Sequence, residues 1–91
     1  MTATVKTQAV QDWAGCWMRG DSKNHHVLSF DNMHGRPIRG TLDWKQYAIV
    51  LDVPQESTGI FFGILLVGPG EVWLENVRFD IVNNTVPKTG S

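Results

Sequence analysis

Alternation of apolar and polar side chains at period two dominates residues 41–79 and rules out a helical centre for this chain. In the run 44–53, Tyr47, Ile49, Leu51 and Val53 fall on one parity, with Gln46, Ala48 and Asp52 on the other. That pattern predicts a strand with one buried face. Pro54 has no amide hydrogen and ends the ladder. The run 60–67 is apolar on both parities and too short for a helix, which predicts a central strand covered on both faces. Gly63, in its middle, predicts a bulge or the close approach of another group. Gly68-Pro69-Gly70 forms a turn. Beyond it, Val72 and Leu74 share one parity, while Val77, Phe79 and Ile81 share the other. A bulge at Glu75-Asn76 would return both sets to one side.

The segment before this core reads as further strands. Residues 2–10 are rich in Thr and Val without a helix cap, and Gln11-Asp12 reads as a turn or bulge. In the run 13–19, Trp13, Gly15, Trp17 and Arg19 oppose Ala14, Cys16 and Met18, and the small, sulfur-bearing side belongs in a core. Residues 20–24 form a polar hairpin turn, and His26, Leu28 and Phe30 mark the returning strand. Residues 32–43 read as a long connection containing Gly35, Pro37 and Gly40, and loops of that length are often functional. Residues 83–91 are a polar tail, expected to be flexible. Six strands and no helix predict one antiparallel β-sandwich domain over residues 1–82.

Several pieces of the chain together resemble a known bacterial domain. They are Ser29-Phe30-Asp31-Asn32-Met33, Arg36-Pro37-Ile38-Arg39-Gly40-Thr41, Asp43-Trp44, Leu51-Asp52-Val53-Pro54, Phe62-Gly63 and Val72-Trp73. The chain is similar, over residues 4–82, to jelly-roll domains of the galactose-binding-like, carbohydrate-binding-module-like group, such as those appended to bacterial transcriptional regulators. Short frames of this kind also occur on mobile integron cassettes. The resemblance implies a two-sheet jelly roll and non-catalytic binding of a sugar or other small molecule. Glu75 and Phe61 depart from it, standing where Asp and a small residue are commoner. Such domains also have strands before the position matching Thr2. That difference predicts a homodimer whose partner completes the sandwich by face-to-face packing or by pairing an open edge at residues 2–10.

Charge and cysteine content narrow the function classes. Eight basic residues against nine acidic give a net charge of -1, which offers no pull on nucleic acid or an anionic membrane. No apolar run is long enough to span a bilayer, and the N-terminus has no signal-peptide core, so the expected location is cytoplasmic. A single cysteine excludes an internal disulfide. No acid, base and nucleophile are matched, so no enzyme is expected, and no cofactor is implied.

Four tryptophans in 91 residues need an account. They serve either as stacking platforms for a ligand or as packing and subunit-interface residues. Trp17, sharing a face with Arg19 and Gly15, is the leading platform. Trp44, Arg36, Arg39, Asp31 and Asn32 supply further candidate contacts to a ligand, with His34 beside them. The competing reading is a structural loop in which Asp31 and Asn32 bond the turn and an arginine pairs with Asp43. His25, His26 and His34, with Cys16 or Asp31, make a weak metal pattern, because adjacent strand residues point to opposite faces. Asn83-Asn84-Thr85 spells a glycosylation sequon. Two classes are carried forward: a small-molecule or carbohydrate-binding module, and a homo-oligomeric interaction protein without a small ligand.

Overall fold

A computed structural model of the chain describes residues 1–24, 26–81 and 87–89. Among these residues the fold is all-β and antiparallel, with five strands in one sheet: β1 (Thr2–Ser22), β2 (Val27–Asp31), β3 (Ile38–Ala48), β4 (Ser57–Val67) and β5 (Glu71–Arg78). Every other strand pairs with β1. β3 and β5 flank its N-terminal half, and β2 and β4 flank its C-terminal half.

A straight strand of 21 residues would run about 70 Å at ~3.3 Å per residue. The longest dimension of the molecule is 40 Å. β1 therefore bends sharply, and its ends converge: Met1 and Met18 line one cavity. The result is two three-stranded layers, β3–β1–β5 and β2–β1–β4, with half of β1 at the centre of each. This packs as a sandwich, though one sheet runs through both layers.

The bend lies at residues 8–12. The buried side chains of β1 that face the core are Ala3, Val5 and Thr7 before it, and Val10, Ala14, Cys16 and Met18 after it. The parity switches from odd to even because Ala9 is an extra residue with φ of 52°, and the register with β3 shifts on either side of it. The turn or bulge expected at Gln11-Asp12 is a bulge, where the register with β3 shifts between Val10 and Ala14, and because it lies within one strand, five strands replace six. The expected open edge at residues 2–10 is also corrected. That segment is central, hydrogen-bonded to β3 on one side and β5 on the other.

The core between the layers contains Ala3, Val5, Val10, Ala14, Cys16, Met18, Met33, Ile38 and Ile49, with Tyr47, Val72, Leu74 and Val77 packed against it. The bulge read at Glu75-Asn76 is present. Asn76 has φ of 53°, Thr2 pairs with Arg78 and Thr4 with Glu75, and Leu74 and Val77 end on the same side. β3 begins at Ile38, so the long connection shrinks to residues 32–37. It also stops at Ala48, and residues 49–53 continue without ladder pairing. Among the described residues β4 is an edge strand, not a central one: it pairs with β1 alone and leaves both faces half exposed. The tail is anchored where it is described. Thr89 exchanges hydrogen bonds with Val50 (N to O, 2.8 Å; Val50 N to Thr89 Oγ1, 2.7 Å), and Lys88 pairs with Asp52 at 2.7 Å. The sequon at 83–85 and His25 lie outside the described residues.

Candidate functional site

Strand parity sorts the sequence candidates onto different surfaces. Trp13, Gly15, Trp17 and Arg19 lie on the outer face of the β2–β1–β4 layer, opposite the core-facing Ala14, Cys16 and Met18. Trp17 is registered against Gly63 of β4, and a Cβ at Gly63 would stand 2.8 Å from Trp17 Nε1. The expected close approach at Gly63 is therefore the Trp17 indole itself. Arg19 is registered against Phe61 and Phe30, with its guanidinium 5.2 Å from the Phe61 ring centroid. Its Nε donates to the buried Asp21 at 2.8 Å. Trp17 and Arg19 are thus together, but Arg19 is already engaged on two sides.

Asp31 pairs in register with Met18, which places it on the inner side of the same layer. Its Oδ1 accepts from Met33 N at 2.9 Å and its Oδ2 from Arg36 at 2.6 Å. Asn32 Oδ1 accepts from His34 N at 3.0 Å. Asp31, Asn32 and Arg36 therefore fix the 32–37 loop, and the arginine partner is Asp31, not Asp43. Asp43 instead accepts from Trp44 N at 2.8 Å.

The loop delivers Met33, with φ of 62°, into the gap between β2 and β3 along β1. There Met33 Sδ accepts the Cys16 amide at 3.3 Å, supplying the bond that neither strand reaches to make. Gly15 permits this approach: a Cβ there would meet Asn32 O at 2.8 Å. Arg39 donates from Nε to Asp12 O at 2.8 Å, tying β3 to the bend.

Trp44 lies in the other layer, 41% exposed, as does Trp73, over which Lys6 Nζ sits 5.6 Å from the ring centroid. None of the four tryptophans is in the core. They sit in pairs on two outer surfaces, so Trp17 and Trp44 do not share a groove. Among the described residues no three His, Cys, Asp or Glu side chains gather as a metal site. Burial pushes the Cys16 thiol up to about 11, with Arg36 opposing the shift, and such a thiol is a poor nucleophile.

The concavity that the fold creates lies elsewhere. At the open end of the sandwich a cleft of about 570 Å³ separates the two layers. Met18 and Ile60 line it from one layer, with Ile49, Leu51 and Phe79 facing them, and the carboxylates of Asp52 and Asp80 are its charged lining groups. Nothing in the sequence marks this site, because its walls come from five separated stretches. Even Ile49, Val50, Leu51 and Val53, which contribute most of one wall, read from sequence as strand.

No family model matches the chain, and no solved structure matches it. A curated relative does. Over 89 residues, 98% of its length, the chain is 52% identical to the uncharacterized HTH-type transcriptional regulator YbfP of Bacillus subtilis (strain 168). The chain spans 30% of that protein's length. Among the described residues no helix is long and apolar enough to cross a membrane.

Proposed function

We propose that this chain is a non-catalytic, small-molecule-binding β-module, of the kind that gives a bacterial transcriptional regulator its ligand sensitivity. The observation that carries the reading is the cleft between the layers. Its volume of about 570 Å³ lies within the range of roughly 300–1,000 Å³ typical of small-molecule sites, and most of its wall is apolar. The relation to an HTH-type regulator supports a sensory role. A helix-turn-helix needs two helices, and the described residues contain none, so the DNA-reading part of such a regulator belongs to the portion this chain does not match. A net charge of -1 fits that division of labour.

The lining supports one class of ligand over others. Met18, Ile49, Leu51, Ile60 and Phe79 favour a compact apolar body, and methionine adapts its shape to the occupant. At the margin Asp52 is paired with Lys88 and Asp80 lies beside Arg78, so the charges there are balanced and the lining favours an uncharged ligand. A sugar fits this wall poorly, since its hydroxyls would face thioether and alkyl groups. The outer Trp17–Arg19 surface remains the place where a sugar would stack.

The test uses the neutral apolar probe N-phenyl-1-naphthylamine. Its fluorescence should rise saturably with wild-type protein and fall at least several-fold in Leu51→Trp, which fills the cleft. A parallel titration of a sugar panel against tryptophan fluorescence, with Trp17→Ala as control, tests the outer surface. Equal probe binding by wild type and Leu51→Trp would overturn the cleft reading.

A further inference from the structure

We infer that β4 is the contact strand of a homodimer, pairing antiparallel with β4 of a second copy about a two-fold axis through its centre. β4 runs for 11 residues and pairs with β1 on one side only. Its other edge presents a row of main-chain donors and acceptors that no described strand meets. Natural sheets protect such edges with charged residues, proline, bulges or short strands. The other three edge strands of this fold carry those features. β2 has only five residues, β3 holds Arg39, Asp43 and Lys45, and β5 holds Glu71, Glu75 and Arg78. β4 reads STGIFFGILLV, without a charge or a proline, and its register with β1 is regular from Gly59 to Val67.

The side chains point to the same occupant. Ile60, Phe61, Phe62, Leu66 and Val67 stand 36–45% exposed, and they project from both faces of the strand. A ligand or a flat protein surface would cover one face. Another strand with its own layer extends both faces at once. A second copy of β4 supplies such a strand with matching chemistry, and a two-fold makes one segment serve both subunits.

The axis, perpendicular to the sheet, keeps inner face against inner face, so opposed residues must share parity and the axis must lie midway between one residue and its own copy. Centring on Phe62, the middle residue, overlaps all 11 positions and sets Ile60 against Ile64 of the second copy. The layer then becomes a continuous six-stranded sheet, β2–β1–β4 followed by its two-fold mate.

Sedimentation equilibrium across a wide concentration range, from sub-micromolar upward, tests the assembly. Wild type should populate a dimer. Phe61→Lys, which places a charge on an already exposed position, should raise the dissociation constant roughly tenfold or more while leaving the far-ultraviolet circular dichroism spectrum all-β. In a Cys16→Ala background, Phe62→Cys should form a disulfide-linked dimer on mild oxidation, and Val27→Cys, exposed on β2, should not. A folded wild-type monomer at every concentration would overturn the inference. So would a dimer that Phe61→Lys leaves intact, or one that cross-links through Val27→Cys and not Phe62→Cys.

Discussion

The indole of Trp17 lies across Gly63, the residue registered opposite it, so closely that a Cβ on Gly63 would fall 2.8 Å from Nε1 and 3.0 Å from the neighbouring ring carbon. The contact joins β1 to β4 on the outer face. It holds the ring against the sheet instead of leaving it upright in solvent.

Gly63→Ala should therefore displace the Trp17 ring. Overpacking of this kind costs about 1–3 kcal/mol. Urea unfolding followed by fluorescence should show a lower midpoint with an unchanged slope, together with an altered native emission spectrum. Gly35, with nothing within 4 Å of its added Cβ, is the control position, and Gly35→Ala should move the midpoint little.

The loop prediction rests on Met33. Its side chain is fully buried, and its sulfur is the acceptor for the Cys16 amide. Met33→Ala removes packing and leaves a buried N–H unpaired, so a loss of about 2–5 kcal/mol is expected. Met33→Leu keeps the volume but not the acceptor, and should fall between the two. Equal stability of Met33→Leu and wild type would show that the sulfur contributes only by filling space.

Backbone conformation gives a prediction of opposite sign. Ala9 occupies φ of 52°, a left-handed conformation that disfavours residues with a Cβ by roughly 1–2 kcal/mol. Ala9→Gly relieves that strain while adding freedom to the unfolded chain, for a net gain of about 0.5–1 kcal/mol. Thermal denaturation should report a higher midpoint. A lower one would mean that Ala9 adopts another conformation.

Alkaline conditions should weaken the fold in a defined window. Burial raises the Cys16 thiol from 9.0 to about 11, so the folded chain holds this proton more tightly than the unfolded chain does. The associated stability is complete below pH 9 and is lost as pH rises through 11. Burial also raises the Tyr47 hydroxyl above 10.0, with a Cys16 thiolate adding to the effect, so its contribution disappears in the same direction. Denaturant midpoints measured between pH 8 and 11 should fall for wild type and fall less for Cys16→Ala.

Period and parity carried much of the fold, and their limits are instructive. The Glu75-Asn76 bulge is legible because Val72 and Leu74 change parity with Val77 across it. In β1 the bulge at Gln11-Asp12 is legible too, and the register shifts there between Val10 and Ala14, but the parity change at Ala9 is not. Reading residues 2–10 and 13–19 as separate strands turned the central strand into an edge. Faces of neighbouring strands are a second limit. Trp17 and Asp31 look like partners in sequence, yet Asp31 pairs with Met18 and so lies on the other side of the layer. Register is set by the pairing of β1 with β2, and no property of Asp31 itself reveals it. The cleft was the least legible feature, since Met18, Ile49, Ile60 and Phe79 meet only once β1 has folded back on itself.

The most direct test of the binding account is a chemical-shift map of the isotope-labelled protein titrated with N-phenyl-1-naphthylamine. The account predicts saturable shifts concentrated at Met18, at residues 49–53, at Ile60 and at Phe79, with little change at Trp13 and Trp17. Shifts centred on Trp17, Arg19 and Phe61, or none at saturating probe, would contradict it.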